Sequence, residues 1–471
     1  MKKHLPYRRR KHLTQTWQEW TKNPNWDILG LESHNISLRR PLMKQTPLRY
    51  RNLLIYQVFV RNHTAEGTFQ ALITDLDRIR SLGVDIVYLL PIHPIGLKNR
   101  KGTMGSPYSI RDYRAIDPDL GTMGDFLALL DAVHQRGMKL MMDIVFNHTS
   151  RDSRLLETHP EWFYRDASGG FANRVGEWWD ITDFDYTKDH GLWTELAGIL
   201  ADYAAMGVDG FRCDVASLIP LDFWKMARRT VAKVRKNVIW LSESVHGGFV
   251  KYIRDRGFAA ASEAEIFSVF DMAYEYDIQP YFDDFLKGIR PLRPYLEALA
   301  RQEEIYPANY VKMANLENHD FPRIAEYVGG DLPKIRNWTA FAFMQKAAVM
   351  LYAGEEFASD RRPNLFEKDP WVRKDDLSSL IRVLARIHKR KVFTSGIWKF
   401  HLPAVDGVAF QEVENDAEKW IGIFNVGQVS GELEIALSDG TYRNVLTGRS
   451  VTVRNQAVVL GPDPILIRIN K

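Results

Sequence analysis

The chain has 471 residues, of which 45% are hydrophobic and 26% charged, with a formal net charge of +4. That is ordinary globular composition, long enough for one large domain and one or two small ones, and its near-balanced charge gives no global pull toward nucleic acid. The single cysteine, Cys213, excludes an intrachain disulfide and a cysteine-based metal site, and it suits a cytoplasmic protein.

The first thirteen residues carry Lys2, Lys3, Arg8, Arg9, Arg10 and Lys11. The polar run Thr14-Gln15-Thr16-Trp17-Gln18-Glu19 follows, where a secretory signal would need an apolar stretch and a small-residue cleavage site. This start reads as a solvated basic tail, and residues 1–50 as an N-terminal extension without an assigned role. Nothing approaches 18 consecutive apolar residues, so no membrane span is expected.

From there, short apolar runs at 53–60, 84–90, 139–146, 210–215 and 238–244 read as buried strands. Helical spacing falls between them at 69–82, 125–136, 192–206 and 221–235. Alternation of this kind predicts parallel strands joined by crossover helices. An eight-fold barrel allots about 31 residues to each strand–helix repeat. Tyr56 and Tyr88 stand one such repeat apart, as do Asp214 and Glu243. The stretch from Asp143 to Asp214 exceeds one repeat by about 40 residues. That surplus, at 149–188, is rich in Trp, Asp and Gly and reads as a small inserted domain after the third strand. The sixth strand is placed near 266–270, the seventh at 309–314 and the eighth at 349–352. Beyond about Gly396, short strands at 408–412, 419–424, 431–436, 450–453 and 457–460 alternate with turns such as Asp439-Gly440. The expected fold is therefore an α/β, (β/α)8 TIM barrel over 51–148 and 189–392, with an insertion at 149–188 and a C-terminal antiparallel β-sandwich over 393–471.

The C-terminal ends of barrel strands form the active face. Four of them carry charged or imidazole groups: Asp143 with His148, Arg212 with Asp214, Glu243 alone, and His319 with Asp320. Along a strand, Arg212 and Asp214 share one face while Phe211 and Cys213 point the other way. Arg212 is thus expected to hold Asp214 ionised, because a neighbouring cation lowers a carboxylate pKa. Cys213 reads as a small core residue.

Asp143-Ile-Val-Phe-Asn147-His148, Gly210-Phe-Arg212-Cys-Asp214, Ser242-Glu243-Ser244 and Glu317-Asn318-His319-Asp320 together resemble, in order, the four signature segments of the α-amylase family of glycoside hydrolases. Gly105-Ser-Pro-Tyr108 through Asp112-Tyr113, and Gly354-Glu-Glu356, match as well. The resemblance covers roughly 53–389 and implies a retaining enzyme acting on α-linked gluco-oligosaccharides. It makes Asp214 the nucleophile, Glu243 the acid/base and Asp320 a third essential carboxylate that binds and distorts the reacting ring. His148 and His319 would hydrogen-bond that ring, Tyr108 would stack beneath it, and Arg212 would keep Asp214 charged. Asp143 reads as support for Arg212. Trp178 and Trp179 are either sugar platforms or the inserted domain's own core.

Two departures qualify the resemblance. The Lys-His pair that calcium-binding members carry shortly after the nucleophile is replaced by Val215-Ala216-Ser217-Leu218. Asn147 alone matches a calcium ligand, and one oxygen does not make a site that needs six to eight, so no metal cofactor is expected to be required. The loop Pro91-Ile-His93-Pro94 to Gly102 is similar to one in bacterial maltosyltransferases that use maltose 1-phosphate. Its Lys98, Arg100 and Lys101 read as a solvated basic loop, or else as a phosphate contact. Transfer or isomerisation through the same intermediate is the alternative to hydrolysis, and a catalytically silent glucan-binding module is a third reading. The sequence carries no signal for oligomeric state.

Overall fold

The computed structural model describes residues 46–188 and 190–471; the basic tail and most of the N-terminal extension lie outside them. The chain first lays down β1 (Leu54–Val58), β2 (Ile86–Leu89) and β3 (Lys139–Ile144) in parallel register. An insertion follows, with β4 (His148–Ser150) antiparallel to β5 (Ile181–Asp183). The barrel resumes with β6 (Gly210–Cys213), β7 (Ile239–Ser242), β8 (Met272–Tyr274), β9 (Lys312–Ala314) and β10 (Ala347–Tyr352). Because β10 pairs with β1, these eight strands close on themselves and leave no free edge.

The pleat explains why near-continuous apolar runs suit these strands. Ile55, Tyr88, Met141, Leu241, Met272 and Met313 fill the barrel interior, while Leu54, Val87, Leu140 and Met142 face the surrounding helices. Each helix presents one apolar stripe to that outer surface. In the helix Phe69–Ser81, Phe69, Leu72, Leu76 and Ile79 are buried at helical spacing, and Thr68 caps its start by accepting from the Ala71 N–H. Truncating Leu76 to Ala would cost about 2–5 kcal/mol by opening a cavity between helix and barrel.

The sixth strand lies beyond the place expected for it. Residues 266–270 instead end the short helix Glu263–Ile266 and pack outside the barrel. The cause is local: Glu265 Oε2 accepts from the Ser262 N–H at 2.7 Å and starts a helix where apolarity alone suggested a strand.

After the barrel come β11 (Ile397–His401), β12 (Ala409–Glu414), β13 (Glu418–Phe424), β14 (Glu432–Glu434), β15 (Gly440–Arg443), β16 (Ser450–Arg454), β17 (Ala457–Val459) and β18 (Ile465–Asn470). They form two antiparallel sheets, β11-β12-β13-β18 and β14-β17-β16-β15. Phe410, Ile421, Ile423 and Ile467 pack against Leu433, Val453 and Val458 between them. The opposite face of the first sheet meets the barrel's helices, with Phe424 and Phe341 ring centroids 5.5 Å apart. No helix among the described residues is long and apolar enough to cross a membrane.

Candidate active site

The site is organised around Arg212, whose side chain is 0% exposed. It sits on β6, and strand pairing puts Asp143 of β3 directly beside it. Its Nη1 donates to Asp143 Oδ1 and to Asp214 Oδ1, both at 2.8 Å. Its Nη2 lies 2.9 Å from Glu243 Oε1, one residue past the end of β7. One guanidinium thus touches three carboxylates, and two of them, Asp214 and Glu243, open into the same cavity.

Asp214 does not behave as its cationic neighbour alone would dictate. Arg212 does pull its carboxyl down, but burial first and the Glu243 charge second push it well above the usual carboxylate range. Arg212 thus acts on Asp214 in the expected direction, but burial and the Glu243 charge oppose it: one guanidinium shared among three buried acids leaves excess negative charge. The Glu243 carboxylate, on the neighbouring strand, adds to that excess at Asp214.

Around this centre a second network fixes orientation. The Tyr88 hydroxyl donates to Asp143 Oδ2 at 2.7 Å, and the Tyr108 hydroxyl donates to the same oxygen at 2.9 Å. The Tyr108 hydroxyl is also 2.6 Å from His319 Nε2, and the two rings stack at 5.3 Å. Gln57 Nε2 lies 3.2 Å from His319 Nδ1, an arrangement that fits a neutral ring with its proton on Nε2, 3.1 Å from Asp320 Oδ2. Burial lowers His319 to about 3 and His148 to about 4, so both present uncharged imidazoles at neutral pH. Asp320 differs from the other acids in being 42% exposed at the cavity mouth, with its backbone carbonyl held by Arg362.

Glu243 is held on its other oxygen by the chain itself. Oε2 accepts from the Val215 N–H at 2.7 Å, and Val215 adopts φ 34° to make that contact. A β-branched residue with positive φ is strained, at a cost of about 1–3 kcal/mol.

Tyr108, His148, Asp214, Glu243, His319 and Asp320 line one cavity of about 320 Å³, with Arg212 directly beneath. Trp178 joins them from the insertion, whereas Trp179 is 59% exposed and faces Lys101. A second opening of about 480 Å³ shares Trp178, Val215, Glu243 and Asp320 with the first and continues past Val245, Phe249, Tyr276 and Phe321. Gln57, Tyr88 and the Val215 N–H belong to the site but carry no sequence mark that distinguishes them from core. The loop reads as solvated at Lys98, which is exposed, but Lys101 departs from that reading: its ammonium pairs with Asp180 Oδ1 at 2.8 Å and the side chain is only 18% exposed. Cys213 lies behind the site, fully buried among the outer core residues.

The family model described as "Alpha amylase, catalytic domain" matches residues 32–166 and 159–399, and that for "Bacterial Alpha amylase C-terminal domain" matches 401–467. The chain belongs to the α-amylase family. An alpha-amylase from Lactobacillus plantarum is 40% identical and superposes with a TM-score of 0.86, covering 90% of this chain and 100% of its own. A noncanonic maltogenic alpha-amylase, AmyB, from Thermotoga neapolitana is 32% identical with a TM-score of 0.80 over the same shares. The alpha-1,4-glucan:maltose-1-phosphate maltosyltransferase of Picrophilus torridus is 29% identical over 49% of this chain, which spans only 40% of that relative's length.

Calcium is the ion this family's fold suggests, and the residues here do not fit it. Asn147 Nδ2 is turned toward Asp183 Oδ1 at 3.3 Å, and the other Asp183 oxygen accepts from the Arg174 N–H at 2.8 Å. The Arg174 guanidinium donates to Phe184 O at 2.8 Å and lies 3.4 Å from Asp183, so that carboxylate already has a fixed cation beside it. Six to eight oxygens are needed, and among the described residues no group of three or more His, Cys, Asp or Glu is placed to hold a metal ion.

Proposed function

We propose that the chain is a retaining glycoside hydrolase that acts on α-linked gluco-oligosaccharides of the maltodextrin type. The observation that carries this reading is the shared guanidinium, which sets Asp214 and Glu243 facing one sugar-sized cavity. In double displacement, a carboxylate oxygen of Asp214 attacks the anomeric carbon while Glu243 gives a proton to the departing glycosidic oxygen. Water then attacks the glycosyl–Asp214 ester, its proton returns to Glu243, and Asp214 leaves as the carboxylate. With the acid proton on Glu243, the charge that repels a negative Asp214 is gone. Arg212 remains to stabilise the nucleophile as anion and leaving group. Asp320, His148 and His319 line the cavity where the reacting ring's hydroxyls lie, and neutral imidazoles can donate to them without competing with Asp214 for the developing positive charge. A cytoplasmic location is part of the proposal, supported by the lone cysteine.

Proton NMR of the first products from a maltodextrin should show the α-anomer before mutarotation; β-anomer would refute the mechanism. A specific observation favours transfer as the second reading: the opening beyond Glu243 is largely apolar, with Phe249, Tyr276 and Phe321 able to hold an acceptor sugar against water. Products longer than the donor, found by mass spectrometry at high substrate, would decide for it.

A further inference from the structure

The two openings divide the substrate. Asp214 lines only the first, together with Tyr108, His148 and His319, whereas Glu243 borders both. A leaving group departs past its proton donor, so it occupies the second opening and the glycosyl unit that becomes bonded to Asp214 occupies the first. That unit's anomeric carbon is the reacting one, so further sugars of the donor extend toward the non-reducing end, into the part of the first cavity bounded by Lys101, Leu365 and Phe366.

Three separate segments meet there. The Lys101 ammonium pairs with Asp180 of the insertion and sits 4.5 Å from the Trp179 ring centroid and 5.9 Å from that of Phe366. The Thr103 N–H donates to Glu367 Oε1 at 2.9 Å, and the Met104 N–H to Phe366 O at 3.0 Å. Toward the insertion, the Leu97 N–H donates to Asp152 Oδ2 at 2.9 Å. Glycine permits this closeness at both ends: a Cβ on Gly96 would lie 2.2 Å from the Ser150 Cβ, and one on Gly102 2.9 Å from Phe366 O. Backbone seated this tightly, with an ion pair spanning it, forms a fixed wall.

Resting on the hydrolase reading, we propose that this wall closes the donor end of the site, so that the enzyme works from the non-reducing end and releases one product of fixed length, one or two glucosyl units. The cavity's 320 Å³ stands at the low end for pockets that hold a drug-sized molecule, which suits a mono- or disaccharide.

The test compares two nitrophenyl maltoheptaosides, one with a free non-reducing end and one with that end capped as a 4,6-O-benzylidene acetal. The wild-type enzyme should shorten the free substrate by a constant step and cleave the capped one about 100-fold more slowly. Lys101→Ala and Phe366→Ala, made separately, should each recover cleavage of the capped substrate and release longer fragments. Equal rates on the two substrates, or early products of mixed length from the free one, would overturn the wall while leaving hydrolysis intact. Failure to turn over either substrate would overturn the hydrolase reading and this proposal with it.

Discussion

Arg212→Met removes the guanidinium that touches Asp143, Asp214 and Glu243 and leaves an apolar stem beside carboxylates that are 0%, 9% and 9% exposed. Breaking a buried pair in this way costs about 3–5 kcal/mol, because the carboxylates lose their counter-charge without regaining hydration. The loss should depend on pH in a defined sense. Asp214 is already raised above 3.8, so an unfolded chain ionises there while the folded one still holds its proton. Stability from such a group is complete below the unfolded value and disappears as pH climbs through the folded one. Without Arg212 the folded value rises further, and each additional proton retained steepens the fall by about 1.4 kcal/mol per pH unit. Urea unfolding followed by tryptophan fluorescence, run at several values from about pH 5 to about pH 8, would measure both quantities. In the same series the acid limb of kcat/KM should move to higher pH. A loss below about 1 kcal/mol, with a pH profile parallel to that of the wild type, would refute the account of Arg212 as the counter-charge.

Glu243→Gln should slow cleavage of maltodextrins by several orders of magnitude but spare glycosyl fluorides, whose leaving group needs little proton donation; Asp214→Asn should abolish both, and equal losses for Glu243→Gln would remove its role as acid. Val215→Gly relieves the positive φ while keeping the N–H that Glu243 accepts, and should raise the unfolding free energy by about 1 kcal/mol and with it the denaturant midpoint; an unchanged or lower midpoint would show no strain there. Arg174→Met should be weaker near neutral pH than in acid. Asp183 is raised to about 6 by burial, its contribution is full below 3.8 and lost as pH rises through 6, and removing the cation extends that loss upward. Thermal melting should report this, and a chelator should leave the wild-type melt unmoved; a chelator-induced drop would reinstate a bound ion.

The parts of the molecule legible from sequence were those whose signal is local. Strands such as β3 and β6 show as short apolar runs, and the residues at their ends carry charges that have no reason to lie there in a core. What stayed hidden is of another kind. β15 is largely exposed and lacks an apolar run, β18 pairs with the distant β13, and β8 is only three residues long beside a better-looking apolar run that Ser262 and Glu265 turn into helix. Gln57 and Tyr88 read as interior strand residues, and only the closed barrel brings them to His319 and Asp143. At Asp214 the sequence shows the neighbour along the strand, Arg212, whereas the burial and the opposing charge of Glu243 from the next strand come only with the closed barrel.

The seclusion of Cys213 makes the chain its own reporter. Its sulfur is sealed on the far side of the strand that carries Arg212, and it is the only thiol in 471 residues. A chromogenic thiol reagent would find nothing to attack in the intact enzyme and would develop colour one molecule at a time as β6 comes apart. The rate of that colour would time the opening of the barrel at the strand on which catalysis is built.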